Sequence, residues 1–322
     1  MSKIIYYIHL ILILPLQIFF FKTKTYYEDD RKQNKRIKGS AIIISNHRSS
    51  VDGLVIALRF FFKRLHFIAA NFYKDRLKTV KFIVRVAGGI FVDSEDNSFD
   101  FIEKCKRVTA KGRSIMVFPE GGFQHTYEPS KFSTGYIMLA IKTGVKIVPI
   151  VNDFNYGLFK RVHLMIGNSI DLSGYTNAEL TREKIKEIND EIYGKFLMLF
   201  YELKKKKAEK ITYKYEFIQP KPGDVVRVHA GSYYHYGVYL SANEVIQFGY
   251  IVNRAGENVV VNSVSLNEFC GIKIPEVRTI KKRFVRKTDD IKRYAKSCLG
   301  QGRYNLANNN CFDFVNRITL KI

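Results

Sequence analysis

The chain has 322 residues, 46% of them apolar, which is ample for packed cores and suggests about two domains at roughly 100–200 residues each. It carries 53 Lys and Arg against 30 Asp and Glu, a net charge of +23. With no aromatic-basic RNA signature, helix-turn-helix or zinc-finger pattern, a nucleic-acid partner is not expected, and anionic lipid headgroups are the preferred target of that charge.

Ile4 to Phe21 is apolar except for His9, Pro15 and Gln17. A helix of that length spans about 27 Å, just short of a hydrocarbon core of about 30 Å. The following Lys22-Thr23-Lys24-Thr25-Tyr26 offers no small-residue cleavage site, so residues 1–24 read as a membrane anchor rather than a signal peptide, with a buried core helix as the bland alternative. Lys22, Lys24, Arg31, Lys32, Lys35, Arg36 and Lys38 follow the segment and only Lys3 precedes it. That asymmetry places the rest of the chain on the cytoplasmic side of a membrane.

Ala41-Ile42-Ile43-Ile44 reads as a buried strand and Leu54 to Leu58 as a helix. Between them lies Asn46-His47-Arg48-Ser49-Ser50-Val51-Asp52. A strand-to-helix loop of this kind can bring the Asp52 carboxylate under the His47 ring, fixing its tautomer and stabilising its cation. The other ring nitrogen can then take a proton from a hydroxyl, the requirement for general-base acyl transfer to an alcohol. Further on come Gly88-Gly89-Ile90-Phe91-Val92-Asp93, an amphipathic helix over 98–111, the strand Ser114 to Phe118, and Phe118-Pro119-Glu120-Gly121-Gly122. A helix over Phe132 to Thr143, stopped at Gly144, and a strand over Val145 to Ile150 complete an alternating pattern that predicts a mainly parallel sheet with its chemistry at strand ends.

In this order, the four blocks around His47, Gly88, Phe118 and Ile147 resemble the glycerolipid acyltransferases typified by 1-acylglycerol-3-phosphate acyltransferase, over roughly residues 25 to 200. The resemblance implies that His47 and Asp52 are catalytic and that Glu120 and Gly121 serve the acceptor site, with the Gly121-Gly122 backbone there for a headgroup or oxyanion. It also implies acyl-CoA or acyl carrier protein as co-substrate, with no bound cofactor and no metal. Ser94, Gly122-Phe123 and Ser133 stand where that family usually carries Arg, Thr-Arg and Lys, residues associated with the acceptor phosphate. Arg48, Arg113 or Lys131 are the basic residues available to compensate.

Ile185 to Lys207 reads as a long helix, and the charge run from Lys204 onward as a solvated linker over 204–216. From about 217 the pattern changes to short strands: Val225 to Val228, Tyr234 to Leu240, and Glu244 to Phe248. Asn309-Asn310-Cys311-Phe312-Asp313-Phe314 should open a helix at Cys311, where the helix dipole and orphan N–H groups favour a thiolate. His235 as base and Gln247 as its orienter would complete a cysteine nucleophile site. Pro222-Gly223-Asp224, His235-x-Gly237-x-Tyr239 and Asn310-Cys311 resemble the lecithin:retinol acyltransferase-like proteins, a permuted branch of the papain-like thiol enzymes. In lipid-acting members the third polar residue is commonly a second His, and here that position is Gln247. None of Cys105, Cys270, Cys298 and Cys311 forms a Cys-x-x-Cys pair, which argues against zinc and suits a reducing compartment.

The expected architecture is an N-terminal anchor (1–24), an α/β acyltransferase domain with a mainly parallel sheet (25–203), a basic linker (204–216) and an α+β permuted papain-like domain (217–322). The expected function is a membrane-associated bifunctional lipid acyltransferase acting on phospholipids or lysophospholipids. Two alternatives stand beside it: an acyltransferase fused to a papain-like amidase or peptidase, and a lipid-surface scaffold without catalysis.

Overall fold

The structure is a computed structural model, and it describes residues 8, 11, 19–20, 22–29, 37–61, 63–70, 89–92, 98–175, 180–249 and 259–322. It divides into two compact units, Met1–Phe200 and Tyr201–Ile322. Most of the segment expected to be an anchor lies outside the described residues. Within it Ile8, Ile11, Phe19 and Phe20 are helical and exposed. Among the described residues no helix is long and apolar enough to cross a membrane.

The first unit holds β1 (Lys22–Tyr27), β2 (Ala41–Ser45), α1 (Asp52–Arg59), β3 (Leu65–Ala70), β4 (Ile90–Val92), α2 (Ser98–Ala110), β5 (Ser114–Val117), α3 (Gly135–Thr143), β6 (Lys146–Asn152) and β7 (Arg161–Ile166). The sheet order is β1-β7-β6-β2-β5-β3-β4, parallel throughout except for the antiparallel β6–β7 pair. The sheet is therefore mixed, with parallel pairing dominant as expected. The unbroken Ile42-Ile43-Ile44 run falls on the central strand, where both faces are covered and all three residues are fully buried. Gly144 closes α3 with a left-handed φ of 66°, the conformation that lets glycine stop a helix there.

The α1 helix begins with no side-chain cap from Val51. Instead Asp52, its first residue, turns back toward the loop it follows. Gly53 comes next because space is short: a Cβ there would stand 2.6 Å from the Phe67 ring. Gly88 and Asp93 of the second sequence block lie outside the described residues.

A long helix, α4 (Arg182–Ala208), carries the division between the units within it. Residues 204–216 differ from the expected solvated linker. Lys204 is buried on α4 and its ammonium donates to the Ile322 carbonyl, while Ala208 packs with Leu320 and Ile322.

The second unit has a fully antiparallel six-stranded sheet. Its strands are β8 (Lys214–Glu216), β9 (Val225–His229), β10 (Tyr234–Ser241), β11 (Glu244–Phe248), β12 (Val261–Val264) and β13 (Glu276–Thr279), ordered β12-β11-β10-β9-β13-β8. Its helices are α5 (Leu266–Cys270), α6 (Thr288–Ser297) and α7 (Cys311–Thr319). The expected α+β composition is what the chain forms. Asn310 caps α7 by accepting from Phe312 N and Asp313 N, and Asp313 returns the bond, a complete capping box. Buried Arg278 on β13 donates to Asn316 and Thr319, which fixes α7 against the sheet.

Candidate active site

His47 leaves the end of β2 and its Nδ1 donates to Asp52 Oδ2 at 3.0 Å. The Asp52 side chain is fully buried, whereas the ring keeps 16% exposure. A buried carboxylate needs donors, and Asp52 has them. Arg48 N and Ser49 N donate to Oδ2 at 2.6 and 2.8 Å, Ser49 Oγ to Oδ1 at 3.2 Å, and the Tyr156 hydroxyl to Oδ1. These donors hold the carboxylate in place, so it cannot swing away from the ring. The ring itself lies flat on Phe118, with centroids 3.8 Å apart and planes at 9°, and Phe123 leans on it at 4.5 Å. The imidazole is thus fixed in plane, with Nε2 the nitrogen that the carboxylate does not hold.

Tyr156 escaped the sequence reading. Burial, with the Asp52 charge adding to it, pushes its pKa well above the ordinary tyrosine value, so it remains a proton donor. Its oxygen accepts from Asn152 Nδ2 at 2.7 Å. Asn152 is in turn locked to Asn46 by two reciprocal bonds of 2.9 Å, which ties the ends of β2 and β6 together beneath the site. Nothing local marks Tyr156, because it stands 104 residues from Asp52. The usable hint was its position a few residues past the fourth block, at the end of a central strand. Removing only its hydroxyl, as in Tyr156→Phe, should lower kcat about tenfold by loosening Asp52, since one hydrogen bond to a charged group is worth about 1.5–3 kcal/mol. KM for both substrates should hold; unchanged steady-state turnover would exclude this role.

Glu120, which the resemblance implies serves the acceptor site, is tied to the His47 loop. Its Oε2 accepts from the His47 backbone N–H at 2.6 Å and its Oε1 from Ser130 N–H at 2.7 Å. Each oxygen accepts one backbone N–H, so Glu120 braces the His47 loop. Burial pushes its pKa up to about 7, against the pull of those two N–H groups and Arg48. Arg48 is likewise engaged: its guanidinium donates to the carbonyls of Gln124 and Thr126, and it lies 4.9 Å over the Phe154 ring. Gly121 and Gly122 differ from these two. Nothing stands within 4 Å of where a Cβ would project at either, and Gly121 holds a φ of +77°. They are the members of the expected acceptor set that border open space.

In the second unit, His235 Nε2 donates to Gln247 Oε1 at 2.7 Å, and Gln247 Nε2 donates to Asn262 Oδ1 at 3.0 Å. Gln247 therefore stands where an orienting residue should, and Nδ1 is the acceptor nitrogen. Burial lowers the His235 pKa, so the ring is neutral. Gly249 is confined to glycine by this ring, since a Cβ would fall 2.8 Å from His235 Cε1. Cys311 opens α7 as expected, with backbone N–H groups of Tyr236, Phe312 and its own residue toward the sulfur. Burial nevertheless pushes its thiol up, with the Asp313 charge adding to that, so the expected thiolate is not favoured here.

His235 and Cys311 make no hydrogen bond with each other. Strand alternation is the reason. His235 and Gly237 share a face with Phe269 of α5, whereas α7 packs on the other face through Phe312–Tyr236 and Phe314–Phe248 contacts at 5.0 and 5.8 Å. His235 lines a cavity of about 210 Å³ with Val228, Tyr233, Phe269, Cys270 and Lys273.

Residues 25–153 match the family described as Acyltransferase, and residues 218–320 match the family described as Lecithin retinol acyltransferase. Both resemblances read from the sequence are borne out. A 1-acyl-sn-glycerol-3-phosphate acyltransferase from Borreliella burgdorferi is 31% identical over 159 residues, 45% of this chain and 62% of that protein. A protein of the same description from Haemophilus influenzae is 27% identical over 198 residues, 54% of this chain and 79% of that protein. Among solved structures, the 1-acyl-sn-glycerophosphate (LPA) acyltransferase PlsC from Thermotoga maritima aligns with 59% of this chain and 96% of its own, at 18% identity and a TM-score of 0.39.

Proposed function

We propose that this chain, whose two parts match the Acyltransferase and Lecithin retinol acyltransferase families, is a membrane-associated lipid acyltransferase whose transfer chemistry resides in the first unit. The carrying observation is the His47–Asp52 pair, with its buried, fully donated carboxylate. A lysophospholipid hydroxyl gives its proton to His47 Nε2 as its oxygen attacks the carbonyl of an acyl thioester, acyl-CoA or acyl carrier protein. Asp52 balances the imidazolium that forms. The tetrahedral intermediate collapses by breaking the C–S bond, and His47 returns the proton to the departing thiolate. Backbone N–H groups of the Gly121-Gly122 turn are the candidates for the oxyanion or the headgroup. Ser94, Gly122 and Ser133 weigh against a simple phosphate-clamped acceptor. The charge asymmetry after residue 21 supports a cytoplasmic-facing site at a membrane.

For the second unit the proposed chemistry is an acyl-Cys311 thioester, formed with His235 as base and passed to water, an amine or a hydroxyl. Catalytic contacts that are long in an unliganded site commonly tighten on binding, and this reading requires His235 and Cys311 to approach. Their separation here favours a second reading, in which this unit handles lipid without covalent catalysis. Iodoacetamide labelling decides between them. A catalytic Cys311 should label faster than Cys105, Cys270 and Cys298, and Cys311→Ser should abolish acyl-enzyme detected by intact mass. Equal labelling and no acyl adduct would leave the accessory reading. His47→Ala tests the first unit, and loss of no acyl-lipid product would end that proposal.

A further inference from the structure

The segment between β6 and β7 is braced at its base and exposes apolar side chains at its tip. Asp153 Oδ1 accepts from Asn155 N at 3.1 Å and His163 N at 2.9 Å, and Asp153 Oδ2 holds His163 Nδ1 at 2.8 Å. Asn155 Nδ2 reaches the Arg161 carbonyl at 3.1 Å, and Lys160 N closes a turn onto the Gly157 carbonyl at 3.0 Å. At the summit Leu158 is 55% and Phe159 77% exposed. Phe159 holds a φ of +56°, a left-handed conformation costly for a bulky side chain and natural for glycine. Most of that aromatic ring faces water, a placement suited to a contact outside the chain.

The tip has neighbours of the same kind. Phe159 N donates to the Phe19 carbonyl at 2.8 Å and the two rings meet edge-on at 6.2 Å, while Phe19 and Phe20 are themselves exposed. Around them run cations. The parallel register of edge strand β1 on β7 sets Lys22 beside Arg161 and Lys24 beside His163, and Lys160 adjoins the tip. Neither 19–27 nor 158–163 contains an acidic residue. Exposed aromatic rings ringed by Lys and Arg are the composition that enters a headgroup layer, the rings at the acyl boundary and the cations among phosphates.

We propose that the Leu158–Phe159 turn is a rigid wedge that inserts into the surface of an anionic phospholipid bilayer, independently of the N-terminal segment's depth. Tyr156, which donates to Asp52, lies in the same braced segment. Insertion therefore registers the candidate catalytic pair against the bilayer. The lipid acceptor proposed above gives the wedge its purpose, but its binding is measured without turnover.

The chain contains no Trp, so Phe159→Trp in the full-length protein is a single-site reporter. With vesicles of phosphatidylglycerol and phosphatidylcholine its emission should shift to the blue and be quenched by brominated lipid. Pure phosphatidylcholine should give a much smaller shift. The Leu158→Ser/Phe159→Ser protein should bind the anionic vesicles about tenfold more weakly, as expected for two partly inserted apolar side chains. Its transfer to a water-soluble short-chain lysolipid should match wild type. Emission that stays at the water-exposed position while the protein co-sediments with vesicles would overturn the wedge. So would undiminished binding by the double variant, or a blue shift that follows protein concentration without vesicles, which would put the tip against a second copy. Each of these failures leaves the transfer chemistry standing, because that is read on the soluble acceptor.

Discussion

His47→Ala is expected to reduce acyl transfer about a thousandfold, within the range of roughly 10²–10⁴ that a positioned general base supplies. Asp52→Asn should cost about a hundredfold or more, for two reasons. It removes the charge that balances the imidazolium, and it turns an amide NH₂ toward groups that now donate to Asp52. Arg48 N, Ser49 N and the Tyr156 hydroxyl all point at that carboxylate. In a fully buried place at least one of these donors would lose its partner, so the Asn variant should also lose about 1–3 kcal/mol of stability. In the proposed mechanism the carboxylate acts only through the ring, so the double variant should be no slower than His47→Ala alone. Additive losses in kcat would mean that Asp52 touches the reaction by another route.

The second large effect is expected at Glu120. Glu120→Ala leaves the N–H groups of His47 and Ser130 without their acceptor. At about 1–3 kcal/mol for each of the two orphaned groups, the loss should be roughly 2–6 kcal/mol in chemical denaturation. Turnover should collapse with it, because the residue whose backbone is freed is His47. A Glu120 that bound substrate would instead raise KM for the acceptor and spare stability.

The pH dependence has a defined sign. Burial lifts the Glu120 pKa to about 7 from an ordinary 4.5. Between those values the folded chain binds more protons than the unfolded one, so ionising this residue costs folding stability above about pH 7. The cost is relieved as pH falls through 7 toward 4.5. Wild type should therefore gain up to about 2 kcal/mol between pH 8 and pH 5 relative to Glu120→Gln, counting about 1.4 kcal/mol per pKa unit and allowing for partial solvent access. Parallel stability curves for the two proteins would contradict this.

Particular residues show how much could be read from the chain alone. The Ile42-Ile43-Ile44 run announces a central strand because only a strand covered on both faces tolerates no polar alternation. The spacing of His47 and Asp52 announces their contact because the joining loop is short. Gln247 is legible for a related reason, since two short adjacent strands bring it opposite Gly237, two residues from His235 on the same face. The direction of a long-range side chain is not legible in this way. Glu120 reads as an acceptor-site carboxylate, and only the fold reveals that it turns inward to two backbone N–H groups. The His235–Cys311 expectation rests on motif identity, which does not say on which face of β10 the last helix packs. Tyr156 and Phe159 follow the segment that matches the Acyltransferase family, which ends at residue 153. Their roles emerge from the end of β6 and the turn beyond it, features that no short motif encodes.

The proposed transfer of an acyl chain from a thioester to a lipid hydroxyl, by the imidazole–carboxylate pair of the first unit, has a direct readout. Its most direct test presents isotope-labelled acyl-CoA, and in parallel acyl carrier protein, with a panel of lysophospholipids to wild type, His47→Ala and Cys311→Ser, and follows labelled diacyl product by mass spectrometry. Wild type and Cys311→Ser should form it at comparable rates and His47→Ala should form none above background. Product made equally well by His47→Ala and lost in Cys311→Ser would exclude His47 as the base and place the transfer in the second unit.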